Sequence, residues 1–152
     1  MPADHVQDFI PRVNGPNFDN LTQINCQNVF IDESTSLKCL YLNARSCNNK
    51  VTEINDLIIE KNADLVFITE TWFKDKDNTT ISNLLPYGFE IIYKNRQSRS
   101  GGGVAIIYRS TLDIIKCDIT NDFCTFESFY LKIKSQCLKH CFFCMYLSVS
   151  KK

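Results

Sequence analysis

The chain has 152 residues, the length of one ordinary domain, and its 17 Lys and Arg balance its 17 Asp and Glu. No whole-chain basic field exists to draw it to nucleic acid, so any such attraction must come from a local surface. Residues 1–12 are polar without an apolar core of signal length, and no apolar run approaches the roughly 20 residues that span a bilayer. This points to a soluble, unsecreted protein without a membrane partner. The eight cysteines sit mostly within apolar segments and follow no secretory signal, so they read as reduced, buried thiols.

Residues 1–36 carry Pro2, Pro11 and Pro16, many Asn, Asp and Gln, and only scattered apolar residues; a loosely ordered leader is expected there, with the domain running over 37–152. From Leu37 the texture changes. Leu37 to Asn43 is a short apolar run ending in a polar residue, the pattern of a buried strand. Asn48 or Asn49 can cap a helix whose apolar positions Val51, Ile54, Leu57 and Ile58 recur every three or four residues, with Glu53 near its positive end and a stop near Asn62. Asp64 to Glu70 is a second apolar run of the same length. The three pieces form a βαβ unit with parallel strands and a right-handed crossover.

A polar stretch over 74–80 and a short helical segment over 81–85 follow. The pattern then turns to hairpins, with strands at Phe89 to Tyr93, Val104 to Tyr108, Leu112 to Cys117, Phe126 to Ile133 and His140 to Leu147. Strands dominate the second half, no internal repeat stands out, and Gly101 to Gly103 is the one biased segment.

In an open α/β sheet, ligands bind outside the carboxyl ends of the parallel strands, which here deliver Asn43 and Glu70. If the two strands pair directly, those ends lie about 5 Å apart. A carboxylate there can hold a metal while an amide contacts a phosphate. Asp64 starts the strand that Glu70 ends, roughly 20 Å away, and cannot share that metal. Magnesium suits such a place because it keeps several waters and is anchored by one or two carboxylates plus phosphate oxygens. A lone glutamate at a strand end is otherwise an ordinary solvated loop residue.

The surrounding words decide between those readings. Leu42-Asn43-Ala44-Arg45-Ser46, Asn49-Lys50, Ile68-Thr69-Glu70-Thr71-Trp72 and Gly101-Gly102-Gly103-Val104-Ala105-Ile106-Ile107-Tyr108 closely resemble, in order and spacing, the opening motifs of the endonuclease domains of LINE-type non-LTR retrotransposons. Phe126 to Ile133 is similar to the strand that follows, and the resemblance covers about residues 37–147. It implies an α/β fold, part of the four-layer α/β sandwich of the endonuclease/exonuclease/phosphatase (deoxyribonuclease I-like) type. It further implies a Mg2+-dependent (or Mn2+-dependent) nuclease that nicks DNA in the nucleus and takes no small-molecule cofactor. Glu70 matches the family's metal-binding glutamate and Asn43 the asparagine that helps to bind metal and phosphate. Tyr146, within Cys144 to Ser148, matches a strand-end tyrosine that contacts the scissile phosphate. Ser148 and Val149 stand where the family has prolines, so an ordinary strand aromatic is the rival reading of Tyr146.

The family's later Gly-Asp-Phe-Asn and Ser-Asp-His segments have no counterpart. Asn121-Asp122-Phe123-Cys124 imitates the first but precedes the Tyr146 strand and has Cys124 in place of the asparagine, so it reads as a turn. The only histidines are His5 and His140. The expectation is therefore an N-terminal, truncated part of the domain, inactive alone and prone to self-association through an uncovered sheet. The alternative is a non-catalytic relic or weak binding module from a decayed element.

Four further features have plain readings. Cys137, His140, Cys141 and Cys144 are dense enough to suggest zinc, but Cys141 and Cys144 fall on opposite faces of a strand and no second ligand pair stands at finger-like distance. The glycine triplet is followed by a strand and lacks the Lys-Ser or Lys-Thr of a phosphate loop, so it serves a tight turn and close sheet packing. Arg96 and Arg99 can touch a DNA backbone from that loop, a solvated turn being equally compatible. Trp72 is expected to pack beneath the site.

Overall fold

The computed structural model describes residues 23–30, 36–96, 101–117, 126–134 and 141–148. Ten elements follow in chain order: β1 (Gln23–Phe30), β2 (Ser36–Asn43), α1 (Val51–Glu60), β3 (Leu65–Thr69), α2 (Asn78–Leu84), β4 (Phe89–Lys94), β5 (Val104–Arg109), β6 (Asp113–Cys117), β7 (Phe126–Lys134) and β8 (Cys141–Ser148). They form a five-stranded sheet of order β1-β2-β3-β5-β4 and a three-stranded antiparallel sheet of order β6-β7-β8.

The expected βαβ unit is present. β2 and β3 pair in parallel, with Asn43 opposite Thr69 and Leu40 opposite Val66, and α1 makes the crossover between them. Both strands have apolar residues on both faces because the sheet is covered on both. Leu40, Leu42, Val66, Ile68, Ala105 and Ile107 pack against Ile54, Leu57 and Ile58 of α1 and Ile81 and Leu84 of α2. Leu37, Cys39, Leu65, Val104, Ile106 and Tyr108 meet Leu131 and Ile133 of the smaller sheet on the other side. Helices, large sheet and small sheet are three layers of the expected sandwich, consistent with the α/β class. No helix among the described residues is long and apolar enough to cross a membrane.

Three sequence expectations need correction. Residues 23–30, inside the segment read as a loose leader, form a strand that pairs antiparallel with β2 from Gln23 opposite Asn43 to Phe30 opposite Ser36. Its signal is the alternation Gln23, Ile24, Asn25, Cys26, Gln27. An edge strand does not need the continuous apolar run that marks a central one. Second, Lys50 rather than Asn48 or Asn49 occupies the N-cap of α1, without a side-chain cap bond, since Asn48 and Asn49 are spent in the preceding turn. Third, α2 begins at Asn78, three residues before the apolar positions that signalled it.

The second half pairs as the hairpins expected from its sequence, β4 with β5, β6 with β7 and β7 with β8 all antiparallel. β5 lies between β3 and β4, antiparallel to both, and the chain then crosses to the second sheet through the turn at Ser110, whose N–H donates to Gly88 O at 2.8 Å. Asp64 helps to hold this end. Its Oδ2 accepts from Lys38 N at 2.9 Å, its Oδ1 from Arg109 Nε at 2.8 Å, and Arg109 also donates to Asn62 Oδ1. Asp64 is thus a structural tie at the end of the sheet remote from Glu70, in keeping with its exclusion from the metal site.

Cys47 is a buried free thiol, as expected, and Cys39 is buried with its Sγ donating to Leu37 O at 3.9 Å; the side chains of the Cys137 to Cys144 cluster lie outside the described residues. Burial pushes the Cys47 thiol from 9.0 up to about 12, against a lowering by the nearby Lys50 ammonium. The folded chain therefore keeps this thiol neutral where the unfolded chain ionises it. The stability this contributes is intact below about pH 9 and is lost as pH rises toward 12. Urea midpoints measured at pH 8 and pH 10.5 should fall more for the wild type than for Cys47→Ala; equal falls would remove Cys47 from the account.

Candidate active site

Past their last paired residues β2 and β3 stay bonded as loops. Ala44 N–H donates to Thr69 O at 2.9 Å, Ser46 N–H to Glu70 O at 2.8 Å and Cys47 N–H to Thr71 O at 3.0 Å. On the other side Thr71 N–H donates to Gly103 O at 3.2 Å and Trp72 N–H to Gly102 O at 2.9 Å. Three loop segments, 43–47, 70–72 and 101–103, are thereby stitched into one rim at the carboxyl ends of β2 and β3. The backbone departs from strand geometry here. Arg45, Ser46, Glu70 and Trp72 have positive φ of 43°, 86°, 57° and 56°, conformations that cost a non-glycine residue about 1–3 kcal/mol and that gather at functional sites.

Glu70 is half-buried in this rim. Its Oε2 accepts two hydrogen bonds, from Trp72 Nε1 at 2.7 Å and from Gly102 N at 3.0 Å. Both donors fall on one oxygen, and Oε1 takes no partner among the described residues. Asn43, opposite Thr69 and so one position from Glu70 on the neighbouring strand, turns its Oδ1 to accept from Arg45 N at 3.2 Å. That bond ties the amide to its own loop. The two residues singled out from sequence are therefore neighbours, as direct strand pairing requires.

Lys50 has a role that sequence reading missed. Its Nζ donates to Ala44 O at 2.6 Å, Arg45 O at 3.3 Å and Ser46 O at 3.4 Å, satisfying carbonyls of the loop that carries Asn43. Its place in the Asn49-Lys50 pair was the only signal. Hydrogen bonds to a charged group contribute about 1.5–3 kcal/mol, so Lys50→Met is expected to cost that much in a thermal melt while retaining the fold; an unchanged midpoint would make the three contacts incidental.

Arg96 comes close as well. It packs on Gly102, where an added Cβ would stand 2.5 Å from its guanidinium Cζ. Gly102 thus lies between a cation and the Glu70 carboxylate its amide contacts. Arg99 lies outside the described residues. Tyr146 is on β8, its backbone opposite Ser128 of β7, and its side chain is not described. Trp72 does not pack beneath the site: it is 43% exposed, because its left-handed backbone turns the indole along the rim toward Glu70. Phe73, next in the chain, takes the buried place and meets Tyr93 edge to face.

Residues 23–135 match the model of the Endonuclease/Exonuclease/phosphatase family. The chain belongs to this family. The match starts at the first residue of β1, which supports that strand as part of the domain. Among curated proteins, none matches the chain. Endonuclease/Exonuclease/phosphatase membership indicates metal-dependent phosphoester cleavage as the class of chemistry, usually with a divalent ion such as Mg2+. The residues present fit that ion. They offer hard oxygen donors, the Glu70 carboxylate, whose Oε1 has no partner among the described residues, and the Asn43 carboxamide. Among the described residues no group of three or more His, Cys, Asp or Glu gathers. A metal here would rest, among the described residues, on the Glu70 carboxylate with the Asn43 carboxamide beside it, oxygen donors that suit magnesium rather than zinc.

Proposed function

We propose that the chain carries the metal-binding pole of a Mg2+-dependent DNA endonuclease domain of LINE-type non-LTR retrotransposon origin, the N-terminal part of that domain, and is inactive in hydrolysis by itself. The observation that carries the reading is the adjacency of Asn43 and Glu70 at the carboxyl ends of two paired parallel strands, within words matching those of such endonucleases.

In this reading Glu70 holds the ion through Oε1 and Asn43 steadies the phosphate beside it. Bound metal would supply stabilisation of the charge that builds on the phosphoryl oxygens. Lys50 keeps the Asn43 loop in register. Tyr146 would position the scissile phosphate from the second sheet, and Arg96, with Arg99, would meet the DNA backbone next to the rim. In-line hydrolysis also requires a group that activates water and one that assists the leaving oxygen. The family's segments for those tasks have no match in these 152 residues, which is why the chain alone is expected not to nick. The nucleus is the proposed place of action, and self-association through a sheet edge or face is the proposed partner contact.

Titration of the full chain with Mn2+ or Mg2+, followed by calorimetry, tests the assignment. One saturable site lost in Glu70→Ala is expected, with no relaxation of supercoiled plasmid by either protein. Binding that survives Glu70→Ala would sink the metal assignment. Magnesium-dependent nicking abolished by that substitution would instead sink the claim of inactivity. Absence of any divalent binding would favour the relic.

A further inference from the structure

Trp72 is the single tryptophan of the chain, and its exposure beside Glu70 is not explained by core packing. An indole with 43% of its surface in water has no need of a protein partner for its N–H. Its Nε1 nevertheless donates to Glu70 Oε2 at 2.7 Å, a length typical of charge-assisted bonds. The backbone is bent to make that contact, since both Glu70 and Trp72 adopt left-handed conformations. The bonds from Thr71 N to Gly103 O and from Trp72 N to Gly102 O hold the bend in place. Gly101 leaves room for it: a Cβ there would stand 3.3 Å from Trp72 Nε1 and 3.8 Å from Glu70 Oε2.

We infer that Trp72 is a positioning residue for the metal carboxylate. Together with the Gly102 amide its N–H fixes Oε2 and so fixes the Glu70 rotamer, leaving Oε1 as the oxygen presented to the cation. A glutamate at a strand end has several rotamers to lose on binding an ion, and an outer-shell donor that selects one of them in advance raises affinity. The inference rests on the reading of Glu70 as a metal ligand.

The single indole makes it directly testable. In the 15N–1H spectrum of the full chain the one indole crosspeak should lie downfield of a water-bonded indole, shift upfield in Glu70→Gln, and move saturably with Mg2+ in the wild type but not in Glu70→Gln. Trp72→Phe, which keeps an aromatic ring and removes the donor, should weaken Mn2+ binding about 10-fold or more while the chain still folds. Wild-type Mn2+ affinity in Trp72→Phe would overturn the positioning role while leaving Glu70 as ligand. Metal binding unaffected by Glu70→Gln would overturn both. An indole crosspeak at the water-bonded position, indifferent to Glu70→Gln, would overturn the inference whether or not Trp72→Phe folds.

Discussion

Gly103→Ala is expected to lower stability by about 2–5 kcal/mol, the sum of left-handed backbone strain and a forced contact. Gly103 has a φ of +82°, and a Cβ on it would stand 2.5 Å from Thr71 Oγ1 and 3.4 Å from Lys94 O. Thr71 is fully buried, its hydroxyl has no hydrogen-bond partner among the described residues, and its backbone is bonded to Gly103 itself. Neither side can give way easily. Gly88→Ala is the control, for Gly88 has nearly the same φ, +81°, with nothing within 4 Å of the added carbon; only the backbone cost of about 1–3 kcal/mol should appear. Urea unfolding of both variants measures the difference. Adding Thr71→Ala to Gly103→Ala should recover part of the loss, a coupling that separate effects would not give. Equal costs at Gly88 and Gly103, or strict additivity with Thr71→Ala, would refute the close contact.

Ile68→Ala is expected to cost about 2–5 kcal/mol, the range for removing a large aliphatic side chain from a core that cannot fully collapse. Ile68 is completely buried, opposite Leu42 on one side and Ala105 on the other, in the cluster beneath the two helices. It is also two residues before Glu70, so the same substitution should loosen the rim. Ile59→Ala on the outer face of α1, where Ile59 is 61% exposed, should change stability by no more than about 0.5 kcal/mol. Chemical denaturation of the pair reads the contrast. A loss below about 1 kcal/mol at Ile68 would mean that helices and sheet are not packed as described.

Residues 37–70 were legible in advance because their local pattern and tertiary setting agree. Two apolar runs of equal length separated by a helix of period near 3.6 leave little choice but a parallel pair with a crossover. Asn43 and Glu70 could be set side by side on that ground alone. The strand at Gln23–Phe30 was missed for the opposite reason: its polar residues resemble those of a leader, and only its partner β2 gives it a place. Residue type alone places Trp72 in the interior, and the exchange of places with Phe73 follows from a left-handed turn that residue type does not announce. Lys50 stands in the sequence only as half of the Asn49-Lys50 pair, and its value lies in three carbonyls that only the folded loop presents to it.

By itself, then, the sequence determined the α/β class, the βαβ unit and the adjacency of Asn43 and Glu70 at its strand ends, and it announced the tight turn at Gly101 to Gly103. Each of these depends on periodicity or residue chemistry within a few turns of chain. Tertiary structure decided that β5 inserts between β3 and β4, that the small sheet covers the face opposite the helices, and that Trp72, Gly102 and Arg96 assemble around Glu70. Those pairings bring together residues far apart in the chain, Glu70 with Gly102, Leu65 with Tyr108 and Leu37 with Ile133, and the energy that selects them comes from sheet register and shared burial, which no local window contains.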